Sequence, residues 1–367
     1  MNGIHYIDTP PIDSSIYSTL PPFGDFGKPQ DCHFRPFFGC EFQFVVKVRG
    51  STLPLVKRAD TSIGSESDTP TENDWVDDIA ARLRIAISDA LRNRNAPSYK
   101  PSWGSKRFDY NYWCVTTDTA ITVPLPSETG GYDTFFVGVV VNSRVLSADW
   151  AGYVELQNAV RAITGRFTTG VNESCRFRVY VGNKGRSKLD LWTLKTLAGL
   201  MAGWEPQMNS LHPAHRCHPG SESPPLSNMA RLHGKTRSQR VMAIDACDNT
   251  DELFRLLAKD RGMPVIDLNR PCPSDHALYR TVEFRQHEGT LEEDRMVMWV
   301  RLAAGMVKGA FEVSDRFCSN LMNGKGANFT ILELLRSLGM HDIADYYKDK
   351  LHWHEWASES GGMSGYR

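Results

Sequence analysis

The sequence predicts an α+β fold: a curved, largely antiparallel sheet with helices packed on one of its faces. Three observations predict it. Residues 38–48, FGCEFQFVVKV, alternate so that Cys40, Phe42, Phe44, Val46 and Val48 share one face and Glu41, Gln43, Val45 and Lys47 the other. Residues 175–182, CRFRVYVG, repeat the pattern, with Phe177, Val179 and Val181 against Arg178 and Tyr180. The helical segments fall irregularly between strands instead of alternating with them, which favours antiparallel pairing with one covered face over a parallel βα array.

The elements follow in order. Residues 1–35, rich in proline, glycine and serine toward their start, read as an extended arm. After the strand at 38–48 and a polar loop at 58–70, a helix is expected over 71–95. Its apolar stripe is Trp75, Ile79, Leu83, Ile87 and Leu91, and Arg92 and Arg94 suit the negative end of its dipole. Strands are expected at 112–117 and 134–141, and a helix over 148–164 ending at Gly165. After the strand at 175–182, Ser187 is expected to cap a helix over 188–203.

Residues 205–240, full of proline, histidine and arginine, read as a long loop, and a long loop in a compact domain is usually functional or disordered. A short helix is expected from Thr250 to near Gly262. Residues 281–291, TVEFRQHEGTL, read as a strand that puts Val282 and Phe284 on one face and Glu283, Arg285 and His287 on the other. Thr290 with Glu293 resembles a capping box for the helix carrying Met296, Val297, Val300 and Ala304, and Thr330 with Glu333 another for an amphipathic segment running to about Trp353. The expected organisation is an arm (1–35), one domain (36–357) holding the loop 205–240, and a disordered tail (358–367).

Composition narrows the function classes. The 42 basic and 43 acidic residues of the 367-residue chain nearly cancel, which argues against nucleic acid or an acidic membrane as partner. No apolar run is long enough to span a bilayer and no signal peptide is evident, so the expectation is a cytoplasmic protein. Eight scattered cysteines without a C-x-x-C pair read as reduced thiols.

The polar strand faces carry the chemistry. Glu41, Arg178, Glu283 and Arg285 would project onto one floor, and ionisable groups there are costly to bury unless they pair or bind charge. A carboxylate beside a guanidinium can hold a metal and a phosphate oxygen together, though an E-x-R alone is more often a structural ion pair. His212, His215, Cys217 and His218 have zinc-ligand chemistry, but their spacing matches no familiar zinc motif, and a polar loop is the plainer reading. The turn 182–185, GNKG, can touch phosphate or simply join a strand to a helix, and Ser143 and Cys175 have no evident base partner.

The motifs FGCEFQF, WCVTTDTAI, FVGVVVNSRVL, VNESCRFRVYVG and TVEFRQHEGTL, in that order over residues 36–305, resemble the amidoligase family of fungal type, a relative of glutamate–cysteine ligases and glutamine synthetases. The resemblance implies an ATP-dependent carboxylate–amine ligase whose sheet cradles ATP, Mg²⁺ and small-molecule or peptide carboxylate and amine substrates. A carboxylate attacks the γ-phosphate, and an amine then displaces phosphate from the acyl phosphate. Such chemistry needs positioning and neutralisation of oxygen charge.

By the same resemblance Glu283 and Arg285 match the family's E-x-R pair and are the catalytic candidates. Glu41 and Glu283 would hold the metal, while Glu41, Gln43, Arg178 and Tyr180 would line the cofactor site. Arg216, in LHPAHRCHP, would bind a substrate carboxylate. The sequence also departs from the family pattern. Gln43 stands where a second acidic residue is usual, Val140 replaces the glutamate of a G-V-E-x-x-S motif, and Arg178 and Tyr180 replace two histidines. Arg178 would repel a divalent ion, so the metal site is expected to be weakened. Two readings stay open on the sequence: an ATP-dependent carboxylate–amine ligase, active or impaired, or a catalytically inactive binding protein of the same fold.

Overall fold

The computed structural model describes residues 34–49, 72–94, 96–98, 111–124, 134–183, 189–217, 221, 223–258, 264–271, 280–312 and 330–359. Most of the arm at 1–35, the polar loop 58–70, Lys184, Gly185, Ser187, His218 and most of the tail lie outside the described residues.

The architecture is an open antiparallel sheet with helices, a mixed α+β fold. Its strands are β1 (Pro36–Arg49), β2 (Cys114–Thr117), β3 (Thr134–Asn142), β4 (Leu146–Ser147), β5 (Thr168–Gly170), β6 (Phe177–Asn183), β7 (Ile266–Pro271) and β8 (Arg280–Phe284). They run in the order β2-β3-β1-β6-β8-β7, with β4 and β5 also paired to β1. β1 is the hub, taking β3 on one side and β6 on the other.

One face of this sheet is the core. Phe38, Cys40, Phe42, Phe44, Val46 and Val48 of β1 all point into it, as alternation requires, together with Phe177, Val179, Val181, Val282 and Phe284. Each phenylalanine fully buried there contributes about 1.5–3 kcal/mol of transfer free energy. The helices α1 (Glu72–Arg92), α2 (Trp150–Thr164), α3 (Leu191–Gly203) and others close over this face, with Leu83, Ile87 and Leu91 of α1 buried at the expected spacing. The side chain of Trp75 lies outside the described residues.

α3 is buried on nearly every side, and its N-cap is Asp190, whose carboxylate accepts from the Thr193 amide at 2.8 Å. The helix therefore begins later than a Ser187 cap would place it. The stretch 205–240, expected as a loop, folds into α4 (Glu205–Asn209), α5 (Ala214–Cys217), a 3₁₀ turn at Leu226–Asn228 and the start of α6 (Arg237–Asp245), which Thr236 and Gln239 open with a capping box. α7 (Thr250–Leu257) is capped by Asn249 and stops well before Gly262.

α8 (Glu293–Glu312) packs on β1 and β6 and brings Met296, Trp299, Val300 and Val307 into the core. Thr290 does not form the expected capping box. Its hydroxyl accepts from the Glu292 amide two residues on, at 3.1 Å, and the helix begins at Glu293, two residues later than a Thr290 cap would place it. Thr330 and Glu333 do form the capping box of α9 (Ile331–Ser337). Gly339, at φ +77°, then turns the chain into α10 (His341–Glu359). Among the described residues no helix is long and apolar enough to cross a membrane.

Candidate functional site

The site lies on the sheet face opposite the core, and the strand register assembles it. Glu41 of β1 stands directly across from Arg178 of β6, and Tyr180 of β6 stands across from Glu283 of β8. Period-two alternation then puts all four side chains, with Gln43 and Arg285, on the same side.

The charges alternate through space. The Arg178 guanidinium lies 3.1 Å from Glu41 through Nη1 and 3.8 Å from Glu283 through Nε, and Arg285 Nη1 lies 3.4 Å from Glu283 Oε2. Gln43 Nε2 donates to Glu41 Oε1 at 3.4 Å, and the Tyr180 hydroxyl donates to Glu41 Oε2 at 3.5 Å. Glu283 is completely buried, whereas the Arg178 and Glu41 side chains stay 14% and 15% exposed, so solvent reaches the Glu41 end of the row. Burial works against the Arg178 charge, but Glu41, Tyr180 and Glu283 outweigh it and hold its pKa above the ordinary arginine value.

Arg176, two residues earlier on the same face, is shifted the other way, by burial and then by repulsion from Arg178 and Arg285. Arg216 is pushed down to about 10, by burial first and then by Arg176 and Arg178. The electrostatic centre of the floor is thus a group of guanidiniums around two glutamates, an environment that favours an anion.

Arg216 itself is buried. Its Nη2 donates to the Arg285 carbonyl at 2.6 Å and its Nε to the Gln286 carbonyl at 3.2 Å.

Two expectations are corrected by the geometry. His287 does not share the polar face. Val179 pairs with Phe284 but Arg176 with Glu288, so one extra residue is inserted between these pairs and the alternation is reversed beyond it. The His287 ring packs against Trp299 at 5.3 Å and edge-on to Phe177 at 5.7 Å. Nor is the face polar throughout. Val45, Ile121, Val140 and Cys175 form a second, smaller apolar cluster there, with Val123 and Phe136 packed on it. Val140, opposite Gln43, belongs to this cluster, and a carboxylate at that position would lose much of its hydration among apolar neighbours.

The strand register also adds Asp267 of β7, opposite Glu283, and Asn142 of β3, opposite Glu41. Neither was singled out from the sequence. The alternation Ile266, Asp267, Leu268, Asn269 is the signal that points to Asp267, but Pro271 and a neighbouring loop composition obscure it.

The donor set does not fit a hard divalent ion well. Mg²⁺ seeks several carboxylate or water oxygens in an octahedron. Here Arg178 bridges the two candidate carboxylates, and the third position is apolar. Among the described residues, no group of three or more His, Cys, Asp or Glu is arranged to hold a metal ion. Within the histidine-rich stretch, His212 and Cys217 are engaged with the protein itself. His212 stands edge-on to Trp299 at 4.8 Å, and the Cys217 thiol, pushed up to about 11 by burial, donates to the Asn209 carbonyl at 3.4 Å. Ser143 is structural as well, accepting from the Cys40 amide and donating to the Arg144 carbonyl, each at 2.8 Å.

Comparison with known proteins places the chain in a family. No curated protein matches the chain. Residues 71–307, more than half of it, match the family described as "Putative amidoligase enzyme". The match contains β6, β8, Arg178, Tyr180, Arg216, Glu283 and Arg285, while β1 with Glu41 and Gln43 lies before it. The chain belongs to this amidoligase family.

Proposed function

We propose that this amidoligase is an anion-binding member of its family: it takes up ATP on the arginine floor with weak dependence on Mg²⁺, and its carboxylate–amine ligation is impaired. The observation that carries this reading is the position of Arg178 between Glu41 and Glu283, where it neutralises the carboxylates that a metal would use.

In the full ligation, an oxygen of the substrate carboxylate bonds to the γ-phosphorus as the bond to ADP breaks. The amine nitrogen then bonds to the acyl carbon, phosphate leaves, and the ammonium formed gives up its proton. The chain's own contribution is electrostatic. An arginine carries five N–H donors in a rigid fork, so a guanidinium that pairs with a glutamate can still donate to a phosphate or carboxylate oxygen. Glu283 orients Arg285, and Glu41 with Glu283 orients Arg178, which holds both forks ready without a metal.

The second reading is an active ATP-dependent ligase of small-molecule or peptide carboxylates and amines. The Glu283–Arg285 pair, which stands intact at 3.4 Å, favours it. One experiment tests both. ATP is titrated calorimetrically with no Mg²⁺ and with millimolar Mg²⁺, and ADP release is followed with panels of acids and amines. The proposal expects similar affinities in the two titrations and no amine-dependent ADP. Strict dependence on Mg²⁺ with amine-dependent ADP release would replace it with the active reading.

A further inference from the structure

We infer that Arg216 is a positioning residue: it fixes the exit of β8 and so aims Arg285, without itself touching the ligand. This rests on the reading of Arg285 as an anion donor.

The backbone bookkeeping at that exit motivates the assignment. Pairing between β7 and β8 ends at Ile266 with Phe284. One residue on, the Arg285 amide donates to the Val265 carbonyl at 2.9 Å, and the His287 carbonyl accepts from the Phe177 amide at 3.3 Å. The carbonyls of Arg285 and Gln286 lie between these tethers, past the ladder, and both accept from Arg216. Buried carbonyls without a partner are costly. Two consecutive carbonyls need two donors at a fixed separation and angle. The guanidinium edge supplies that pair, and a lysine ammonium supplies only a point.

Arg216 occupies this place although burial and its arginine neighbours oppose its charge. What it supplies in return is the geometry of the fork. It is also held from its own side. The Arg216 amide donates to the Pro213 carbonyl at 2.9 Å, and Cys217 next to it bonds α4 through Asn209. The strut therefore runs from the 205–217 segment to the backbone of Arg285.

The test uses the full chain and the variants Arg216→Lys and Arg216→Gln, with ATP as the probe. Hydrogen exchange of a peptide spanning 281–289 should accelerate about tenfold or more in either variant, the loss expected for charge-assisted hydrogen bonds, while a peptide from β1 keeps its protection. ATP affinity should fall about as far as in Arg285→Ala, and adding Arg216→Gln to Arg285→Ala should cost little more, because both act through one guanidinium. Wild-type exchange and affinity in Arg216→Lys would overturn the proposal in favour of charge alone. Independent, additive losses would overturn it in favour of direct ligand contact. Loss of β1 protection in both variants would overturn it in favour of a general core strut. A wild-type chain that does not bind ATP would sink the proposed function, while the exchange experiment would still decide the role of Arg216.

Discussion

Arg178 and Glu41 face each other across the β1–β6 ladder with 3.1 Å between guanidinium and carboxylate, and the same guanidinium leans toward Glu283 at 3.8 Å on its other side. A cation shared by two carboxylates on one sheet face is a structural support and a chemical statement together. It steadies the floor and, on the proposed reading, stands where a metal would bind.

Removing that cation should therefore be expensive. Arg178→Met leaves Glu41 and Glu283 without their shared partner, Glu283 being completely buried. Breaking a buried pair costs roughly 3–5 kcal/mol, and the partial exposure of Arg178 argues for the lower end, about 3 kcal/mol. Urea unfolding at neutral pH measures it. A loss below 0.5 kcal/mol, the scale of a surface substitution, would contradict the geometry.

Restoring charge should restore metal dependence. Gln43→Glu combined with Arg178→His adds a carboxylate beside Glu41 and removes a fixed positive charge, so ATP binding should become clearly stronger with millimolar Mg²⁺ than without it. Val140→Glu is best left out, because Val140 packs with Val45, Ile121 and Cys175 and a carboxylate there would be buried among them. Calorimetric titration with and without Mg²⁺ reads the result. An unchanged ratio of affinities would remove Arg178 as the cause of the weakened site.

Gly289 should tolerate no side chain. A Cβ there would meet the Cys175 Cβ at 2.4 Å and the Cys175 carbonyl carbon at 2.9 Å. The Gly289 amide also bonds the Cys175 carbonyl at 2.9 Å, so the two backbones cannot part without losing that bond. Gly289→Ala should cost about 1–3 kcal/mol in a thermal or urea melt. Cys175→Ala, which keeps the offending Cβ, should not rescue it.

Cys40 ties stability to alkaline pH. Burial first, and Glu41 to a smaller degree, push its thiol from about 9 to about 12, against lowering contributions from Ser143. The folded pKa of this acid is raised, so between these values the unfolded chain releases a proton that the folded chain keeps. Stability thus falls as pH rises from about 9 toward 12. At pH 10.5 the Cys40 contribution to that loss is about 2 kcal/mol relative to pH 8. Cys40→Ser does not titrate in this range, so its stability deficit against wild type should shrink between pH 8 and 10.5. A constant deficit would show that the thiol is not held in this way.

Alternation made much of the fold and half of the site legible. Reading every second residue of 38–48, 175–182 and 281–286 places Glu41, Arg178, Glu283 and Arg285 on one face, and the sheet joins those faces as expected. The same rule misplaced His287, because one extra residue lies between the Val179–Phe284 and Arg176–Glu288 pairs, and nothing local in the sequence marks that irregularity. Helices of four and five residues, such as α4 and α5, show no period to read, so proline and histidine content made 205–240 look like a loop. Partner choice was beyond reach: that Asp267 stands opposite Glu283, or that Val140 joins Ile121, depends on contacts distant in sequence.

The hub position of β1 has a consequence for how the chain folds. The Arg35 amide bonds Asn183, 148 residues away, and Cys40 bonds Ser143, 103 residues away. The Asn183 contact cannot close until about half of the chain has been synthesised, which gives the sheet a high contact order and a slow, non-local search. Until β6 and α8 follow, the edge of β1 that takes β6 stays open and its apolar stripe from Phe38 to Val48 is only partly covered, and an open strand edge rich in phenylalanine and valine is prone to pair with other chains. The strand that anchors the finished sheet is thus the nascent chain's main aggregation hazard, and yield on refolding should fall with protein concentration more steeply than stability alone would suggest.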